Sequence, residues 1–146
     1  MILIAHRGNT HGPSKEENHP DLIFNTLVEG YDVEIDVWFL NGEFLLGHDA
    51  PQYKVDGQFL QLRGLWCHAK NIDALYQLKK LGVEHYFWHQ EDDYTVTACG
   101  KIWTYPGKDL CPDSIAVMPE TIMTNITNIL DNRIYGVCSD YVGLLK

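Results

Sequence analysis

The chain predicts an α/β fold: a compact (β/α)8-type, TIM-like parallel barrel with several outer helices missing or shortened. Three observations carry this expectation. Eight short apolar runs have the length and the β-branched or aromatic content of strands. Three of the links between them hold apolar residues at helical spacing. Most runs end in polar loops, the pattern of a parallel barrel whose chemistry collects at the C-terminal strand ends. The 146 residues read as one domain, 1–146, without repeats or linkers. Barrels of this kind usually need about 200 residues or more, so much of the outer helical ring must be absent.

In chain order, Ile2–Ala5 is an apolar run opening into His6-Arg7-Gly8. Residues 9–19 are rich in Gly, Pro, Ser, Asn and His and should be irregular. Pro20–Glu29 starts with proline, carries Leu22, Ile23, Leu27 and Val28, and stops at Gly30, which predicts a helix. A strand follows around Glu34, then a tight turn at Asn41-Gly42 and a strand over Phe44–Gly47. Residues 50–64 show no period and read as a loop. Leu65–His68 is strand-like. Asn71 should cap a helix that carries Ile72, Leu75, Tyr76, Leu78 and Leu81 inward and ends with Lys79, Lys80 and Gly82. Further strands are expected at His85–Trp88, Lys101–Tyr105, Ser114–Met118 and Tyr135–Ser139, with an accessory one at Thr95–Ala98. Glu120–Asp131 has the spacing of a helix.

Net charge is −9, which argues against general affinity for nucleic acid. An anionic substrate then requires a locally positive pocket. No apolar run approaches the length of a membrane span, and Met1–Ala5 is too short for the apolar region of a signal peptide, so a cytoplasmic location is expected. Cys67, Cys99, Cys111 and Cys138 lack CxxC spacing and read as reduced thiols. Trimming of the helices should leave apolar surface that a homodimer could cover.

Glu34 and Asp36 lie two apart in a run of β-branched residues, so a strand places both carboxylates on one face and Val33, Ile35 and Val37 on the other. Such a pair is either a solvated acidic face or a site for a hard divalent cation. Around it, His6 and Arg7, then His48, then His68 and Lys70, each follow or end a strand candidate. In a parallel barrel these groups would meet on one face.

His6-Arg7-Gly8, Glu17-Asn18, Glu34-x-Asp36 and His48-Asp49, in this order and spacing, resemble the glycerophosphodiester phosphodiesterase family, part of the superfamily of phospholipase-C-like phosphodiesterase barrels. The resemblance is densest over residues 2–49 and continues thinly through Lys70, Ile102-Trp103-Thr104 and residues 137–141. It implies metal-dependent hydrolysis of a small phosphodiester, an activity of lipid metabolism. His6 and His48 would be the acid–base pair. Glu34 and Asp36 would be metal ligands, for Mg or Ca with Mn as a further candidate. Arg7 and Lys70 would contact phosphate, and Glu17 and Asn18 would support the site. The family's third acidic ligand is replaced here by His68, which is either a ligand or a phosphate contact. The alternative function is a catalytically weakened member that binds phosphate or a phospholipid headgroup. Trp103 and Tyr105 are candidates for a pocket wall, and Trp38, Trp66 and Trp88 for the core. His11 and His19 should be solvent-exposed, and His89 and Asp140, which follow late strands, are either structural or reserve candidates for the site.

Overall fold

Strand β2 (Asp32–Leu40) is the longest element of the computed structural model, which describes residues 1–146 throughout. Its first half pairs in parallel with β1 (Ile2–His6) on one side and β5 (Leu65–Ala69) on the other. From β1 the sheet continues in parallel through β10 (Gly136–Ser139), β9 (Ser114–Val117) and β8 (Ile102–Thr104), and from β5 to the short β6 (Tyr86–Phe87). The second half of β2 turns back antiparallel into β3 (Glu43–Leu46), which pairs with β4 (Tyr53–Val55), while β7 (Tyr94–Val96) runs antiparallel to β8.

The expected parallel (β/α)8-type barrel therefore does not form. The fold is a mixed ten-stranded sheet curled into a half-barrel, with three short α-helices: α1 (Pro20–Val28), α2 (Gly57–Leu60) and α3 (Ile72–Leu81). The reason lies at Asn41-Gly42. Both residues have positive φ, +51° and +78°, the geometry of a two-residue hairpin turn. A parallel connection needs a crossover of a dozen or more residues, so β3 has no route to a parallel position. The stretch 50–64, expected as loop, supplies β4 and α2 instead.

Residues 120–131 also depart from expectation, forming 3-10 turns at Pro119–Thr121 and Ile126–Asp131 rather than a helix. Asn125 explains part of this: its side chain accepts from Thr127 N and Thr127 Oγ1, satisfying the backbone locally. The ends of α1 and α3 match the sequence signals, but Ile72 and Tyr76 of α3, expected to face inward, and Val28, expected on the apolar side of α1, are exposed. Asn71 accepts from Ala74 N at 3.0 Å, Gly82 closes α3 in the left-handed region, and Pro20 opens α1.

Alternation along the strands gives the sheet two faces. Val33, Ile35, Val37, Leu65 and Cys67 join the larger core, which includes Ile23 of α1 and Ala74 and Leu78 of α3. The other face carries Ile4, Trp66, Phe87, Trp103, Ile115 and Cys138, a smaller core within the curl. Glu34 and Asp36 belong to that face. They lie towards the C-terminal strand ends, with the aromatic cluster as a floor. Trp66 is fully buried and donates Nε1 to Asp32 Oδ2, whereas Trp88 is 37% exposed and is not a core residue. Trp38 is half-buried, its Nε1 bonded to Gly47 O. All four thiols are free, and no helix is long and apolar enough to cross a membrane.

Candidate functional site

Parallel register brings the polar residues together. His6 pairs with Glu34 and Glu34 with Trp66, while Asp36 pairs with His68 and His68 with Phe87. Neighbours in parallel strands project to the same face, so His6, Glu34, Asp36 and His68 converge above the aromatic floor. They open into a cleft of about 580 Å³ that Arg7, His48 and Trp103 also line.

His6 is held from behind. Its Nδ1 donates to Asp140 Oδ1 at 2.8 Å, so Nε2 faces Glu34 Oε2 at 3.8 Å. Burial works against charge on His6, but the Asp140 hydrogen bond and the Glu34 charge outweigh it and raise its pKa. Asp140, also bonded by Asn9 Nδ2 at 2.8 Å, is held below the usual carboxylate range by the same bond against its burial. Its own backbone N–H donates to Glu120 Oε1 at 3.0 Å. Asp140 reads from sequence as structural or as a reserve site candidate. The structure makes it the residue that fixes the tautomer of His6. Its sequence signal was its place after the last strand.

Asp36 is almost fully buried and heavily partnered. Asn18 donates Nδ2 to Asp36 Oδ2 and accepts from Asp36 N through Oδ1, each at 2.9 Å. Arg7 Nε lies 3.3 Å from Oδ2, and His68 Nδ1 and Lys70 Nζ lie 3.4 and 3.8 Å from Oδ1. Burial disfavours its charge, yet the bonds and charge of His68, with Arg7 and Asn18, hold its carboxyl well below the usual range. Arg7 in turn is anchored by Nη1 on Glu17 Oε2 at 3.1 Å, and Glu17 Oε1 accepts from Asn9. Nη2 of Arg7 makes no hydrogen bond within the protein. Arg7 and Asn18 both hold positive φ, +53° and +62°, a local strain that the surrounding bonds sustain. Glu17 and Asn18 thus hold Arg7 and Asp36 in place.

His48 arrives by an unexpected route. The β2–β3 hairpin folds back so that Gly47 N donates to Asp36 O at 3.1 Å, returning the chain to the cleft. Gly47 has φ +153°, and a Cβ there would lie 2.0 Å from Ala50 O, so glycine is required. His48 is 42% exposed at its side chain and donates Nδ1 to Asp49 Oδ1 at 2.7 Å, leaving Nε2 unengaged. Lys70, by contrast, is not among the residues lining the cleft, and its ammonium faces Asp36.

Glu34, Asp36 and His68 are the one group of three whose ligand atoms, within 4.8 Å of one another, could hold a metal ion. One hydrogen bond sets the orientation of His68 towards the two carboxylates. His68 Nε2 donates to His89 O at 2.7 Å, which turns Nδ1 towards both carboxylates, 3.7 Å from Glu34 Oε1 and 3.4 Å from Asp36 Oδ1. Glu34 is 2% exposed and receives one hydrogen bond, from Arg7 N at 3.3 Å, which leaves Oε1 without one. Without a metal, His68 supplies the countercharge. Burial opposes its protonation, but Asp36 and Glu34 raise its pKa to about 9.

Of the remaining residues, Trp103 is buried against Phe87 with ring centroids 4.4 Å apart, and Tyr105 lies half-exposed at the rim. His89 is buried, with Nε2 bonded to Asp92 O. His11 is exposed, and His19 caps α1 by accepting from Asp21 N. No family model, curated protein or solved structure matches the chain.

Proposed function

We propose that the protein hydrolyses a small phosphodiester by acid–base catalysis between His6 and His48. One observation carries this most of all. Both imidazoles line one cleft and both have Nδ1 committed to a carboxylate, so each has Nε2 available for a substrate proton. In the reaction, water adds to phosphorus and one P–O ester bond breaks, giving a phosphomonoester and an alcohol. His6, favoured in its protonated form by Asp140, gives a proton to the departing alkoxide. His48 takes the proton of the attacking water. Arg7, fixed by Glu17, points its free Nη2 at phosphoryl oxygen, and Lys70 adds positive field behind Asp36. Glu34, Asp36 and His68 would hold a divalent cation, Mg or Ca ahead of Mn, which when bound neutralises phosphoryl charge.

Binding of a phosphate group without turnover is the alternative, and one feature favours it: Arg7, Lys70 and protonated His68 already balance the buried carboxylates. Turnover of a simple diester with Mg, Ca or Mn, with and without chelator, separates the two. Cation-dependent release of alcohol supports hydrolysis. Binding of glycerol phosphate with no turnover under any metal supports the alternative. The chemistry needs neither a nucleic acid nor a membrane-spanning partner, and a cytoplasmic setting suits a small soluble substrate. A homodimer would cover exposed apolar side chains such as Phe24, Val28 and Ile72.

A further inference from the structure

The cleft lining is of two kinds. His6, Arg7, Glu34 and Asp36 are charged or polar, whereas Trp103, Tyr105, Pro106, Val117 and Ile122 are aromatic or apolar. Tyr105, Pro106, Val117 and Ile122 also line a second pocket of about 170 Å³, which continues over Leu110, Met123 and Ile129. Most side chains lining that second pocket are apolar, and two of its polar ones are already engaged. Thr104 Oγ1 donates to Ser114 Oγ at 3.2 Å, and Lys108 Nζ pairs with Asp93 Oδ1 at 3.1 Å. A polyol or a charged alcohol would lose its water there with little beyond the Lys108 ammonium and the Tyr105 hydroxyl to replace it. An alkyl chain loses nothing. Tyr105 and Ile122 are 43% and 58% exposed beside a charged site, apolar surface that such a chain would cover.

We infer that one ester group of the substrate is an alkyl chain, seated along Tyr105 and Ile122 and into the pocket over Met123, with the phosphoryl group at Arg7. This inference rests on the phosphodiesterase proposal for its reaction, but its binding component is measurable alone. The probe is a series of n-alkyl phosphates from methyl to octyl, used below micelle formation with magnesium present and read by isothermal titration calorimetry. Affinity should rise with chain length, by up to roughly fourfold for each methylene buried. Ile122→Asp, at an exposed position, should flatten the series. Octanol, which has the chain without the phosphate, should bind far more weakly than octyl phosphate. A flat series, or octanol binding as tightly as octyl phosphate, overturns the inference.

The matching diesters, hydrolysed in parallel, keep the two proposals apart. A rising affinity series without any hydrolysis upholds the alkyl subsite and removes the reaction. Hydrolysis of short diesters with no gain in kcat/KM on lengthening the chain upholds the reaction and removes the subsite.

Discussion

His6 Nδ1 donates to Asp140 Oδ1 at 2.8 Å, a bond that ties the end of β1 to the end of β10 across 134 positions of sequence. Because a carboxylate can only accept, the bond sets the imidazole's tautomer and directs Nε2 towards Glu34. It also favours the imidazolium, the form that can protonate a leaving alkoxide.

Asp140→Asn should therefore lower turnover by about 10²-fold or more, the usual scale for disabling a positioned acid. The sign of the pH effect follows from the raised pKa of His6. An acid loses its activity as pH rises through its pKa, and without Asp140 that pKa falls. The alkaline limb of the pH–rate profile should move to lower pH, as initial rates across a pH series would show.

His68 makes metal-free stability pH-dependent. Its pKa is raised from 6.5 to about 9 in the fold, so its contribution is complete below pH 6.5 and lost as pH climbs to about 9. Across that window this group should cost up to about 1.4 kcal/mol per pH unit. Urea unfolding of chelator-treated protein at both ends of the window checks this, and His68→Gln should remove most of the slope.

Asn18 combines a left-handed backbone with paired hydrogen bonds to Asp36. Asn18→Ala should destabilise by about 2–4 kcal/mol, through an unsatisfied buried N–H and a strained φ. Asn18→Gly loses the same bonds but relieves the backbone, and should recover about 1 kcal/mol of that. Chemical denaturation of the two variants separates the contributions.

Gly47→Ala would place a Cβ 2.0 Å from Ala50 O. The loop must shift and take His48 with it. We expect a loss of about 1–3 kcal/mol in stability and a drop in kcat much larger than that in Asn18→Gly, measured by thermal melting and steady-state kinetics.

Local patterns in the chain were the legible part. The alternation around Glu34 and Asp36 places both carboxylates on the inner face of β2, and Asn71 and Gly82 mark the ends of α3 where the signals predict. Pairing direction was not legible in the same way, since period two is identical for parallel and antiparallel strands. Only the length of the Asn41-Gly42 link carried that information, and it argued for a hairpin. The site followed the same division. Glu34, Asp36, His6, Arg7 and His68 meet because their strands are in parallel register, whereas His48 reaches the cleft through a reversal at Gly47. The bond between His6 and Asp140 depends on two strands far apart in sequence, and no local spacing encodes it.

The central claim is that His6 donates the proton to the leaving group while His48 accepts one from water. Turnover of two diesters by the wild-type protein, His6→Ala and His48→Ala tests it most directly. One diester has an alkoxide leaving group and the other a nitrophenolate, which departs without protonation. His6→Ala should lose about 10²–10⁴-fold on the alkyl ester and far less on the nitrophenyl ester, while His48→Ala loses heavily on both. Equal activity in all three proteins, or an equal loss of both substrates in His6→Ala, would contradict the assignment.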